Sequence, residues 1–227
     1  MIIAVITIGG IGSRFKSNIP KQFIEVDNKP ISVYTLEKFQ NNKNIDKIIV
    51  SCLKGYEDKV LEYKEKYGIT KLEYVAAGGR TQPESISNAI DRLEGVVSDD
   101  DIIVVHAGNR PLVEQELIDE SINMCKEKGN AVCYIDCPEV LVTKDSNQIV
   151  ERSDVMRLQT PQTFMYKDIK EAYLYAKEID FDGISTTADL MIRNGMRLNF
   201  FRGSEYNLKI TFQDDLEIFR GLINRKK

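Results

Sequence analysis

Apolar residues along this chain follow two rhythms. Short β-branched runs at IIAVIT (2 to 7), KIIVSC (47 to 52), LEYVAA (72 to 77), DIIVVH (101 to 106) and AVCYID (131 to 136) have the composition of strands. Between them, ISVYTLEKFQ (31 to 40), YEDKVLEYKEKY (56 to 67), PESISNAIDRLE (83 to 94) and EQELIDESINMCKEK (114 to 128) repeat apolar positions every three or four residues. That spacing predicts helices covering the faces of a sheet. Strand and helix patterns that alternate in this way are built from βαβ units, so the fold class expected is α/β with a mostly parallel sheet. Ligands in such sheets sit beyond the carboxyl ends of strands, near the point where strand order reverses.

The rhythm breaks near residue 138. CPEVLVTKDSNQIVERSDVMRLQTPQTF alternates at Val140, Val142 and Ile149 around the turn-like KDSNQ. This predicts a β-hairpin arm over about 138 to 160, projecting from the sheet. Apolar strand edges held out in this way need a cover, so the arm is expected to dimerise the chain. Helices return at 168 to 179 and 187 to 194, then a strand at 196 to 201 and a closing helix at 214 to 225. No internal repeat interrupts the pattern, and residues 1–227 are taken as a single domain.

Composition narrows the classes. At 42% hydrophobic and 29% charged, with six prolines, the chain is an ordinary globular protein rather than a disordered or fibrous one. A net charge of -4 supplies no general basic field for nucleic acid or an anionic membrane, so a phosphate site must be local. MIIAVITIGG lacks the pattern of a secretory leader, and no apolar run approaches the roughly 20 residues of a membrane span, so a cytoplasmic protein is expected. Four cysteines without a CxxC pair, and a single histidine, point to buried thiols rather than a zinc site.

Four stretches could carry chemistry. TIGGIGSRF (7 to 15) follows the first strand and runs on to PKQF (20 to 23), so Gly9, Gly10 and Gly12 can bring backbone amides close to an anion. It matches neither the dinucleotide fingerprint nor a Walker A loop. Its interest lies in Arg14 and Lys21, since fixed cations stabilise the charge that develops when a polyphosphate is displaced. A tight turn with two solvated cations is the plainer alternative. AAGGRTQPESISNAI (76 to 90) places Gly78 and Gly79 at a strand end and Ser85 in the first turn of a helix, which suits either a flat base or a simple capped turn. Arg152, Arg157 and Thr160 lie on the far leg of the proposed arm, where Arg152 could reach a phosphate in a neighbouring subunit or stay a surface charge. Lys209 falls in the apolar NLKIT, expected to be a short strand, where an ammonium needs an anion unless it points to solvent.

In this order, GGIGSRF with PKQF, the glycine pair before ESISNAI, HAGNRPLV, QTPQTF and NLKIT resemble the cytidylyltransferases that make CDP-linked polyols. These are the methylerythritol phosphate enzyme of isoprenoid synthesis and the ribitol phosphate enzyme of teichoic acid and capsule synthesis. The likeness covers nearly the whole chain and implies a Rossmann-like sheet, a homodimer made through the arm, CTP as donor and a magnesium ion held mainly by phosphates. It implies that Ile8, Gly9, Gly10, Gly12, Gly78, Gly79, Ser85 and Ala107 hold the nucleotide. Arg14, Lys21 and Lys209 would be the catalytic cations; Arg152 from a partner subunit, Thr160 and Thr186 would bind or orient the acceptor phosphate, and Arg110 would reach toward the acceptor or hold the loop. No protein residue is assigned as a metal ligand. The reaction implied is direct attack of the acceptor phosphate on the α-phosphorus of CTP, which needs no protein nucleophile.

The departures cluster around His106, the chain's one histidine. The family reads His-Asp there; here the acid is Ala107, and the imidazole is expected to be structural, fixing the loop through its ring nitrogens. The family's Thr-Asp is Thr186-Thr187, its arginine after the glycine pair is Gln82 with Arg80 nearby, and its small residue before the glycine loop is Ile8. Losing an acid beside a triphosphate weakens a cation's shell, although phosphate and water can supply most of what magnesium needs. The alternatives are therefore a nucleotide-binding homologue without turnover, or a nucleotidyltransferase with a changed acceptor or base.

Overall fold

The computed structural model describes residues 1–10, 15 and 20–224. Gly12 and Arg14 lie outside the described residues. Seven strands form the main sheet: β1 (Ile2–Ile8), β4 (Lys47–Cys52), β5 (Leu72–Ala77), β6 (Ile102–Ala107), β7 (Asn130–Asp136), β10 (Met156–Met165) and β11 (Phe200–Arg202). Their order is β11-β7-β10-β6-β1-β4-β5, and all run parallel except β10, which is antiparallel to both neighbours. The first five expected strands appear within a residue of their predicted bounds. The sheet is thus a Rossmann-like α/β arrangement, and its order reverses between β1 and β6.

Burial on both faces explains why these runs are nearly all apolar. Along β1, Ile3 and Val5 face one cluster, while Ala4, Ile6 and Ile8 face the other. The helices α1 (Ile31–Gln40), α2 (Glu57–Lys66) and α4 (Gln115–Lys128) supply Leu36, Phe39, Val60, Ile118 and Ile122 to the second cluster. The opposite face is closed by α3 (Gln82–Asp91), α5 (Tyr166–Glu178) and α6 (Thr187–Arg193), through Ile86, Ala89, Ile169, Tyr173 and Leu190. Each such aliphatic side chain withdrawn from water contributes about 1.5–3 kcal/mol. A third, smaller cluster joins Phe15, Val26 and Ile31 to Ile210 and to Leu216 and Phe219 of the last helix, α7 (Gln213–Asn224). Val26 belongs to a small two-stranded sheet of β2 (Glu25–Val26) and β3 (Lys29–Pro30).

Two expectations need correction. The hairpin of β8 (Leu141–Val142) and β9 (Ile149–Val150) is shorter than the expected 138 to 160, because from Met156 onward the chain enters the main sheet as β10. The polar QTPQT hid this strand. Its side chains are buried yet satisfied: the Gln159 carboxamide donates to the Ser204 carbonyl at 3.0 Å, and the Thr163 hydroxyl donates to Ser121 Oγ at 3.1 Å. Pro161 is tolerated because the register against β7 shifts between Leu158 and Gln162, an irregularity that excuses a residue with no N–H. Lys209 lies in irregular chain rather than in a strand; the nearby β11 ends at Arg202.

Candidate active site

β1 and β6 end side by side at the reversal point, with Thr7 level with Ala107. Beyond them opens a cleft of about 370 Å³, walled by Gly9 and Gly10 after β1, by Gly79 to Gln82 and Ser85 after β5, and by Ala107 at the end of β6 and Asn109 just beyond it. Lys21 enters from a short 3-10 turn at Lys21–Phe23, and Lys209 and Thr211 come from the segment before α7. Lys21, Arg80 and Lys209 lie along one cavity whose described lining residues include no acid, although Arg80 is ion-paired with Glu84 and Asp180 just outside it. Residues 11–14 and 16–19, outside the described residues, contain no Asp or Glu in sequence. Such a wall attracts a polyanion and rejects a carboxylate cluster.

Local packing sets the geometry. The Gly78 N–H donates to the Cys52 carbonyl at 2.5 Å, and a Cβ at Gly78 would stand 2.7 Å from that same oxygen. Glycine is required there by close approach. Ser85 Oγ donates to the Thr81 carbonyl at 2.7 Å and accepts from Gly79 N–H at 3.0 Å, so the hydroxyl props the glycine turn from inside the cleft wall. Thr81 caps α3, accepting from Glu84 N–H at 3.2 Å, and Glu84 in turn accepts from Arg80 N–H at 2.8 Å. Gln22 ties the glycine loop down, donating its carboxamide to the carbonyls of Ile8 at 2.5 Å and Gly10 at 3.0 Å.

Arg80 is held at the rim. Its guanidinium meets Asp180 at 2.6 Å and Glu84 at 3.0 Å, and these contacts push it above the usual range for arginine. His106 lies on the other side of the sheet end. It is fully buried, its ring 5.0 Å from that of Phe39, with Nε2 placed 3.3 Å from the Arg110 carbonyl. Burial drives its pKa to about 3, so it is neutral at ordinary pH and takes no part as an acid or base in the cleft.

Of the residues the sequence singled out, Gly9, Gly10, Gly79, Ser85, Ala107, Lys21 and Lys209 line this one cleft. Ile8 does not: its side chain is buried and occupies the space a Cβ on Gly108 would need, at 2.2 Å. The bulky residue before the glycine loop is thus accommodated by a bare glycine across the sheet end. Gly78 sits behind Gly79 against β4. Arg110, expected at the acceptor, turns inward and donates from Nη1 to the Asn207 carbonyl, and burial lowers its pKa to about 10. Thr160 accepts from Ala107 N–H at 3.2 Å and so supports the wall from behind. Thr186 caps α6 through Asp189 N–H at 3.1 Å, and Arg152 stands in a 3-10 turn at the base of the hairpin; neither lines the cleft of its own chain.

Sequence reading missed Thr7, Leu53, Asn109 and Thr211 in the lining. Thr211 had a legible signal, since it lies two residues beyond Lys209 and an extended segment presents alternate residues to one side. Asn109 had none. For magnesium, the described residues contain no group of three or more His, Cys, Asp or Glu able to hold a metal. With Ala107 at the end of β6, the cleft wall does not fit a protein-held divalent cation. The cysteines are buried without disulfides, and burial pushes Cys52, Cys125 and Cys133 up to about 12.

Comparison with known proteins agrees with this geometry. The family model for IspD, 2-C-methyl-D-erythritol 4-phosphate cytidylyltransferase, matches residues 2–225. The ribitol-5-phosphate cytidylyltransferase of Lacticaseibacillus paracasei is 36% identical, with 100% of both chains covered. The 2-C-methyl-D-erythritol 4-phosphate cytidylyltransferase of Clostridium acetobutylicum is 33% identical over 99% of this chain and 98% of its own. Among solved structures, the 2-C-methyl-D-erythritol 4-phosphate cytidylyltransferase of Francisella tularensis superposes with a TM-score of 0.81 at 26% identity, covering 97% of this chain and 98% of that one.

Proposed function

Because the chain belongs to the IspD family of cytidylyltransferases, we propose that the acceptor it uses is ribitol 5-phosphate. It is a nucleotidyltransferase that moves CMP from CTP to a polyol phosphate and releases pyrophosphate. An oxygen of the acceptor phosphate forms a bond to the α-phosphorus; the bridge to the β-phosphate breaks, and pyrophosphate leaves with the electron pair. The acceptor is already an anion at neutral pH, so no protein group need remove its proton.

The observation that carries this reading is the convergence of Lys21 and Lys209, with the ion-paired Arg80 at the rim, on a cleft at the sheet's reversal point whose described lining includes no acid. In our reading Lys21, with Arg14 from the stretch outside the described residues, steadies the triphosphate. Main-chain groups of Gly9, Gly10 and Gly79 cradle the nucleotide, with Ser85 holding Gly79 in position. Lys209 meets the incoming phosphate. Magnesium would arrive on the triphosphate, its remaining shell being phosphate oxygen and water. The preference for ribitol 5-phosphate rests on the higher identity to the ribitol-5-phosphate relative and on QTPQTF and NLKIT.

The hairpin supplies the reason to expect a homodimer. Val140, Val142 and Ile149 are each more than half exposed, and Leu141, Met156 and Leu158 are exposed beside them. An apolar strand pair of this kind is covered well by a second copy, and that contact would carry Arg152 toward the neighbour's acceptor. Thr160 then acts by supporting Ala107, and Thr186 by capping α6. Four unpaired cysteines suit a reducing, cytoplasmic setting; no described helix is long and apolar enough to cross a membrane.

Release of pyrophosphate should be measured with CTP and magnesium against ribitol 5-phosphate, methylerythritol phosphate and other phosphorylated polyols, then with UTP or GTP as donor. Fastest turnover on ribitol 5-phosphate with CTP is the expected result, and a preference for methylerythritol phosphate would overturn the acceptor assignment. Ala107 favours one competing reading, a nucleotide-binding homologue without turnover. Calorimetric CTP binding with no product across the whole panel would establish that instead.

A further inference from the structure

Lys209 reaches the cleft from irregular chain, so something other than a strand ladder must aim it. Two consecutive residues of the loop after β6 take hold of that segment by its backbone. Ile210 N–H donates to the Asn109 carbonyl at 2.9 Å, and Asn109 Nδ2 donates back to the Ile210 carbonyl at 2.5 Å. Ile210 is fully buried beside Phe15, Ile31 and Phe219, while its neighbours Lys209 and Thr211 both line the cleft. On the other side, Arg110 Nη1 donates to the carbonyl of Asn207. Asn207 Nδ2 donates in turn to Gln159 Oε1 at 3.2 Å and to the Thr160 carbonyl at 2.8 Å.

We propose that Asn109 is a positioning residue for Lys209: its side-chain amide closes a two-bond clasp on Ile210 that fixes the lysine's direction into the cleft. The idea rests on the reading of the cleft as a phosphate site and adds the group that orients one of its cations. An apolar side chain at 109 would keep the bond from Ile210 N–H and lose the return bond, leaving the Ile210 carbonyl buried without that donor. The segment could then turn about Ile210, and Lys209 would spend less time against an incoming phosphate. The chain thereby couples the loop that carries Ala107 to the lysine facing it.

A double-mutant cycle on the full-length protein tests this. Asn109→Ala, Lys209→Ala and the double variant are compared by kcat and KM for transfer from CTP to ribitol 5-phosphate, by calorimetric affinity for inorganic phosphate, and by thermal midpoint. Asn109→Ala should lower kcat by about tenfold with the KM for CTP within about twofold, and should add nothing once Lys209 is gone. Losses that multiply in the double variant would overturn the proposal, because a purely structural defect acts whether or not the lysine is present. Asn109→Leu keeps the approximate size, removes the donor and adds no charge to the cleft, so it guards against a misfolded alanine variant. It should reproduce the loss with the melt preserved, and wild-type kinetics in it would also overturn the clasp. If the unaltered protein transfers to no polyol phosphate, the function reading fails separately, and the cycle read as affinity for inorganic phosphate, which stands in for the acceptor group that Lys209 meets, still decides this one: Asn109→Ala should weaken it only while Lys209 is present.

Discussion

The cleft and the hairpin are built on opposite principles. At the cleft nearly every group is tied: Gly78 to Cys52, Ser85 to Thr81 and Gly79, Asn109 to Ile210, Ala107 to Thr160. Its polar side chains are spent on holding backbone in place, which fixes the wall that Lys21 and Lys209 line. The hairpin has two-residue strands, a Thr143–Ser146 hydroxyl contact at its turn and apolar side chains open to water. The described cleft is held by bonds within one chain, whereas the hairpin leaves Val140, Val142 and Ile149 open to water. The difference teaches where cooperation between subunits would enter: on the acceptor side, through Arg152, rather than at the nucleotide.

Perturbations of either region sharpen that contrast. Removing a cleft cation should have the largest effect: Lys21→Ala is expected to slow CMP transfer by roughly 10²–10³-fold, as the loss of a preorganised charge does elsewhere. Single-turnover measurement checks it, and a rate within twofold of the original would break the picture of a cationic cleft. Charging the hairpin comes next. Val142→Asp with Ile149→Asp should convert a two-chain species to a one-chain species in light scattering and cost about tenfold in transfer if Arg152 acts across the interface, the scale of one charged hydrogen bond. CTP affinity should hardly change, since the cleft belongs to one chain; a parallel loss of both would mean the two regions are not separable.

Acid tests the rigidity of the cleft's floor. His106 has its pKa lowered from 6.5 to about 3 by burial. The folded state therefore resists protonation more than the unfolded chain does. Stability from the neutral ring is fully present above about pH 6.5 and erodes as pH falls toward 3, by up to about 1.4 kcal/mol per pH unit. Thermal midpoints from pH 7 to 4 should show a slope that His106→Gln flattens, while transfer between pH 7 and 9 owes nothing to this ring. The smallest effect is expected from Ala107→Asp. Adding a carboxylate to an acid-free wall should tighten the magnesium requirement by about threefold, below the 10 to 100-fold typical of an established partner. Magnesium titrations of the transfer rate measure it.

The sheet and its helices were legible because their signal is local: an apolar run or a three-to-four spacing reports burial without reference to partners. β10 was not, since Gln159 and Thr163 are buried polar residues whose partners, Ser204 and Ser121, come from distant parts of the chain. Among site residues, Lys21, Ser85 and Lys209 were visible as motif members beside glycine loops. Arg110 carried the same kind of signal with two readings, holding the loop or reaching the acceptor, and its bond to the Asn207 carbonyl fits the first, because a sequence does not say which way a guanidinium turns. Asn109 carried none, as its clasp joins residues 101 positions apart.

By itself the sequence determined the α/β layering, the glycine loops at strand ends and the loss of an acid at Ala107. All of these follow from residue type and short-range spacing. Tertiary structure alone decided that Lys21, Arg80 and Lys209 share one cavity, that Ile8 fills the room left by Gly108, and that Arg110 braces the chain rather than facing the cleft. Direction and proximity across the fold depend on long-range packing and on which donor finds which acceptor, and neither is encoded in any short stretch of residues.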